Sequence, residues 1–131
     1  MNQHINELVK QWINIAERDL LDAKQGFAAE KILTDSISFH CQQAGEKYLK
    51  AFLAYHQIDF PKTHSMSTLV NLCISVDTSF NAILDEADFL TDYAVEVRYP
   101  DDWYEPALDE AKNAYDIAIK IRNFVLSKIK F

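Results

Sequence analysis

Apolar residues recur every three or four positions along most of this chain, the spacing of one buried face on an α-helix. Ile5, Leu8, Val9, Trp12, Ala16, Leu20, Ala23 and Phe27 predict a first helix over about 4–25, with Gly26 just past its end. Ile37, Cys41, Ala44, Tyr48, Phe52 and Tyr55 predict a second over about 35–57, with Thr34 or Asp35 as N-cap. Gly45 falls inside it, where a glycine suits close approach of a neighbour. Pro61 ends any helical reading of the stretch IDFPKT. A short helix follows over about 65–76, with Leu69, Leu72, Cys73 and Val76 facing inward. Phe80, Ile83, Leu84, Ala87, Leu90, Ala94 and Val97 predict a helix over about 79–98. After the link RYPDDWYEP, Ala107, Ala111, Ala114, Ala118, Ile121 and Val125 mark a last helix over about 106–129, with Pro106 in its first turn.

Four long helices and one short one, joined by short connections, give an all-α, up-down antiparallel bundle forming one domain over 1–131. A second apolar flank runs along several helices: Ile13 and Ile15, Phe39 and Leu49, Phe89 and Tyr93, Tyr115 and Ile119. A lone bundle has little need of it, so a homodimer is expected.

Composition narrows the picture. Only 2 glycines and 3 prolines in 131 residues leave too few turn residues for an all-β fold. A net charge of −7 argues against a surface built for nucleic acid, DNA included, or for an anionic membrane. The charge is uneven: residues 77–112 hold eleven acids against Arg98 and Lys112, whereas 113–131 are basic. Cys41 and Cys73 form no disulfide framework and read as reduced, buried thiols of a cytoplasmic protein. Neither a signal peptide nor a membrane-spanning run is evident.

Phosphate-loop and dinucleotide motifs need more glycines than this chain has, and its four histidines show no metal-ligand spacing, so no cofactor or metal is expected. Asp85, Asp88, Asp92 and Glu96 line one helix face. They read as a solvated acidic face, whose mutual repulsion the basic end of the last helix could relieve. His40, Gln43 and Lys47 share a face of the second helix, and Lys50 continues it. These groups either satisfy one another and the end of the fourth helix, or they bind a phosphate or nucleotide. Arg98 either caps its helix or positions a phosphate through its planar fork of donors.

Three stretches carry a resemblance: Phe39-His40-x-Gln42-Gln43-Ala44-x-Glu46-Lys47-x-x-Lys50-Ala51, Thr63-His64-Ser65, and Leu90-Thr91 leading into Arg98-Tyr99-Pro100-Asp101. In this order and spacing the chain resembles the HEPN family, a name standing for higher eukaryotes and prokaryotes nucleotide-binding. The resemblance implies an up-down helical bundle, often dimeric. It also implies a minimal nucleotidyltransferase as partner in a toxin–antitoxin-like pair, and in many members metal-independent ribonuclease activity. The family's nuclease signature is an Arg followed, after four to six residues, by a His. Counted from Arg98, those positions hold Trp103, Tyr104 and Glu105, and no histidine follows His64. The resemblance therefore favours a binding module that engages a nucleotidyltransferase, and a nucleotide or RNA, through Arg98, Asp101, Lys47, His40 and Lys50. The alternatives are a ribonuclease pairing Arg98 with Tyr104, and an oligomeric helical scaffold.

Overall fold

The structure, a computed structural model, describes residues 2–95 and 99–131. Glu96, Val97 and Arg98 lie outside the described residues, so the expectations placed on them have no structural counterpart here. Among the described residues the chain is all-helical. Helix α1 spans Gln3–Ala28, α2 Thr34–Tyr55, α3 Met66–Ile74, α4 Leu84–Phe89 and α5 Leu108–Lys128. No helix in the described residues is long and apolar enough to cross a membrane.

α2 is the central element. It buries 14 of its 22 residues, because α1 packs along one side and α5 along another, with α3 and the 90–93 turn closing the rest. Its aromatic residues anchor the core: Phe52 stacks on Phe80 with ring centres 4.5 Å apart, and Phe80 meets Phe124 of α5 at 4.8 Å. Each such buried ring contributes about 1.5–3 kcal/mol. Glu17 of α1 ties three helices together, accepting from Tyr48 of α2 at 2.6 Å and Arg122 of α5 at 2.7 Å.

The glycines act through space rather than through backbone freedom. Gly26, expected beyond the end of α1, lies inside it; a Cβ there would sit 2.6 Å from Ile37 Cγ1. It lets α1 and the start of α2 touch. At Gly45 a Cβ would meet Met66, Leu90 and Ile121 within 3.0–3.2 Å, which is the expected close approach.

The fourth helix is not continuous. A 3-10 turn over Thr78–Ile83 leads into α4, and a second over Leu90–Tyr93 follows it. The buried positions explain the change of winding. Phe80 and Ile83 are three apart, as are Leu90 and Tyr93, matching the three-residue turn of a 3-10 helix. Ile83 and Ala87 are four apart, matching α4. As a result Tyr93, not Ala94, turns inward; Asp85, Asp88 and Asp92 of the acidic stripe are exposed, and Glu96 lies outside the described residues. The basic end of α5 pairs with other acids: Lys120 with Glu86, and Lys128 with Asp77 at 3.2 Å.

The caps also differ from expectation. Thr34 is the first residue of α2 rather than its N-cap, and its buried hydroxyl donates to the Pro106 carbonyl at 2.6 Å. α5 starts at Leu108, and Pro106 lies buried just before it. That bond joins the N-terminal ends of α2 and α5. Of the second apolar flank, Leu49 and Tyr93 are buried within the chain, whereas Ile15 and Phe89 stay exposed. The apolar case for a dimer therefore rests on fewer residues than the pattern suggested.

Candidate functional site

α2 lays its polar residues on two sides, and the two sides have different partners. Toward α1, His40 Nδ1–H donates to Asp19 Oδ1 at 2.9 Å, and Lys47 Nζ donates to Asp19 Oδ2 at 2.6 Å. Asp22 approaches the other imidazole nitrogen at 3.5 Å. Asp19 has a side chain only 13% exposed, so two cation-capable groups gather on one largely desolvated carboxylate. A cleft of about 420 Å³ opens along α1 beside them, lined by Arg18, Asp19, Asp22 and Gln25 among others.

Toward α3 lies Glu46, with a side chain 4% exposed. It accepts from Lys50 at 2.9 Å, from Gln42 at 3.0 Å and from His64 at 2.9 Å. Burial pushes its carboxyl upward, but these three donors together outweigh burial and hold it below the ordinary range. Gln43 donates to Gln42 Oε1 at 2.7 Å. The ammonium of Lys50 lies 5.7 Å from the ring centres of both Trp12 and Phe60. At the start of α3, Ser65 caps Thr68 N–H, and the Thr91 hydroxyl accepts from Met66 N–H at 3.1 Å. The first two sequence stretches behind the resemblance, and Thr91 of the third, therefore meet around the start of α3, and what joins them is internal hydrogen bonding.

The link before α5 builds a third group. Tyr104 donates to Glu110 Oε1 at 2.5 Å, Tyr93 donates to Glu110 Oε2, and Trp103 Nε1–H donates to Asp35 at 3.2 Å. Asp101 sits exposed in the turn closed by Asp102 N–H on the Tyr99 carbonyl at 2.9 Å. The bond to Glu110 raises the Tyr104 phenol above its ordinary value. Burial, reinforced by the same carboxylate, raises Tyr93. Tyr104 is thus a phenol that keeps its proton, a poor general base. Burial likewise pushes the Cys41 and Cys73 thiols up to about 12, which removes them as nucleophiles.

The sequence pattern of the HEPN domain matches residues 9–129, nearly the whole chain. The chain belongs to the HEPN family. It is similar to the crystal structure of an archaeal HEPN homologue, at 31% identity and a TM-score of 0.70, over 93% of this chain and 98% of that one. It is also similar to TT1696 from Thermus thermophilus, at 26% identity and a TM-score of 0.72, over 92% and 98%. No curated protein matches it.

Within this HEPN domain the expected site residues divide. His40 and Lys47 come together on Asp19; Lys50 belongs with Glu46; Tyr104 belongs with Glu110; Asp101 stands in its own turn. Among the described residues, His40 and Lys47 find their hydrogen-bond partner on α1; the expected end of the fourth helix lies outside the described residues. Sequence reasoning missed Asp19 and Glu110. Asp19 reads as one more polar residue on the outer face of α1, and only its packing on α2 makes it a hub.

Proposed function

We propose that this HEPN domain is a binding module rather than a self-sufficient enzyme. It works as a cytoplasmic homodimer with a minimal nucleotidyltransferase, and engages a nucleotide or RNA end through the His40–Lys47 face together with Arg98. The observation that supports this reading is that His40 and Lys47 are held on Asp19 beside a cleft that Arg18 also lines. Glu46 likewise fixes Lys50 and His64. Groups so fixed form a prearranged polar face, with the Asp19 cluster bordering a cleft. The ribonuclease alternative needs a proton carrier after Arg98. Tyr104 is the candidate, and its hydroxyl proton is committed to Glu110.

The test is co-purification with a nucleotidyltransferase encoded beside this chain, together with calorimetry using ATP and GTP on the wild type and on Lys47→Ala. The expected result is a stoichiometric complex and nucleotide binding that Lys47→Ala weakens roughly tenfold. The absence of both a complex and nucleotide binding would overturn the proposal. Metal-free RNA cleavage lost in Arg98→Ala would replace it with the enzyme reading.

A further inference from the structure

The cleft between the 90–93 turn and the start of α5 combines aromatic rings with carboxylates. It is lined by Phe89, Asp92, Tyr93, Tyr104 and Glu110 and measures about 460 Å³. Its walls are aromatic. Phe89 is 41% exposed, Tyr104 is 53% exposed, and Tyr93 packs edge-on against Phe89 with ring centres 5.8 Å apart. Its floor is the Glu110 carboxylate, each oxygen of which already accepts one phenol. A carboxylate offers about four acceptor sites, so each oxygen retains a second lone pair beside its phenol.

This combination selects its ligand. A phosphate meets a fixed negative charge, and an apolar side chain would strip water from a carboxylate without replacing its hydrogen bonds. A planar cation stacks on the ring faces and donates to the carboxylate at once. Guanidinium does both; a primary ammonium is a strongly hydrated point charge without a stacking plane. The rim points to a ligand borne on a protein. Tyr99 is 79% exposed and Trp103 57% exposed, both on the segment that carries Tyr104, and exposed aromatics of this kind anchor protein interfaces. Exposed Asp101, Asp102, Glu105 and Asp109 surround them with negative charge that complements a basic partner surface.

We propose that the Phe89–Tyr93–Tyr104–Glu110 cleft receives an arginine side chain from a protein partner. The inference rests on the reading of this chain as a partner-binding module, but it is tested on the cleft alone, so the two can fail separately. Aromatic ring signals of the full chain are followed by NMR during titration with the capped tripeptide acetyl-Gly-Arg-Gly-amide, and with analogues carrying Lys or Leu in place of Arg. A saturable shift of the Phe89, Tyr93 and Tyr104 rings is expected, with a Kd near ~1 mM, as befits so small a ligand. The Lys analogue should bind roughly tenfold more weakly and the Leu analogue not at all. Phe89→Ala, which removes an exposed wall and leaves both phenol bonds to Glu110 intact, should weaken binding roughly tenfold. Shifts that are absent, or equal for Arg and Leu, overturn the proposal. Arg98, six positions before Tyr104 in sequence, is the competing occupant. A large gain in affinity for the tripeptide in Arg98→Ala would assign the cleft to the chain's own arginine and overturn the docking of a partner.

Discussion

Glu46 provides the sharpest test of how the polar stretch of α2 works. Its carboxylate is almost fully buried and accepts three hydrogen bonds, one from a Lys50 ammonium whose side chain is itself only 11% exposed. Glu46→Ala strands that ammonium in a desolvated site. Removing one partner of a buried ion pair costs about 3–5 kcal/mol. Glu46→Gln preserves shape and some bonding but loses the charge, so about 2–3 kcal/mol is expected, the range of one or two hydrogen bonds to a charged group. In urea this moves the unfolding midpoint down by about 1–2 M. The pH dependence has a definite sign. The folded Glu46 carboxyl lies below its ordinary value of 4.5, so the unfolded chain takes up its proton first as pH falls. Its stabilisation is fully present above about pH 5 and is lost as pH drops through the folded value. Glu46→Gln should remove that part of the acid limb. Lys50→Met combined with Glu46→Gln should recover much of the loss, because the stranded charge is gone. The reasoning fails if Glu46→Gln is within about 0.5 kcal/mol of wild type at pH 7, or if its acid limb is unchanged.

Three further substitutions probe the fold. Gln57 has φ +55° just after α2, a left-handed conformation natural to glycine, so Gln57→Gly should raise stability by up to about 1 kcal/mol, or a few degrees in Tm. Gly26→Ala should lower it by about 1–2 kcal/mol, despite better helix propensity, because the new methyl meets the stiff, branched Ile37 at 2.6 Å; urea unfolding with an unchanged m-value would show it. Thr34→Val keeps the shape but removes the buried donor to the Pro106 carbonyl, so a loss of about 1–2 kcal/mol is expected, along with faster amide exchange over residues 99–107.

Much of this architecture is legible in the chain. α1, α2 and α5 appear within a few residues of their observed ends, because a long amphipathic helix repeats its signal many times. The fourth helix does not, and the reason is local. Phe80, Ile83, Leu90 and Tyr93 are spaced by three within segments only four to six residues long, too short for the period to declare itself against an α-helical reading. Thr34 looks like a cap by residue type; its hydroxyl instead serves a carbonyl 72 positions away, which no local rule reveals.

The sequence by itself determined that the chain is an all-helical bundle and placed it among HEPN proteins, since periodicity and the three ordered polar stretches are properties of residues near one another in the chain. Tertiary structure decided what those polar residues do. Glu46 gains His64 as a third donor only because the start of α3 approaches it, and His40 and Lys47 share Asp19 only because α1 lies along α2. Tyr104 is tied to Glu110 only because the link before α5 folds back onto that carboxylate. Whether a charged side chain binds a ligand, carries a proton or holds a helix in place depends on which opposite charge lies within hydrogen-bond reach and how much water is excluded around the pair. Both are fixed by packing between elements distant in the chain.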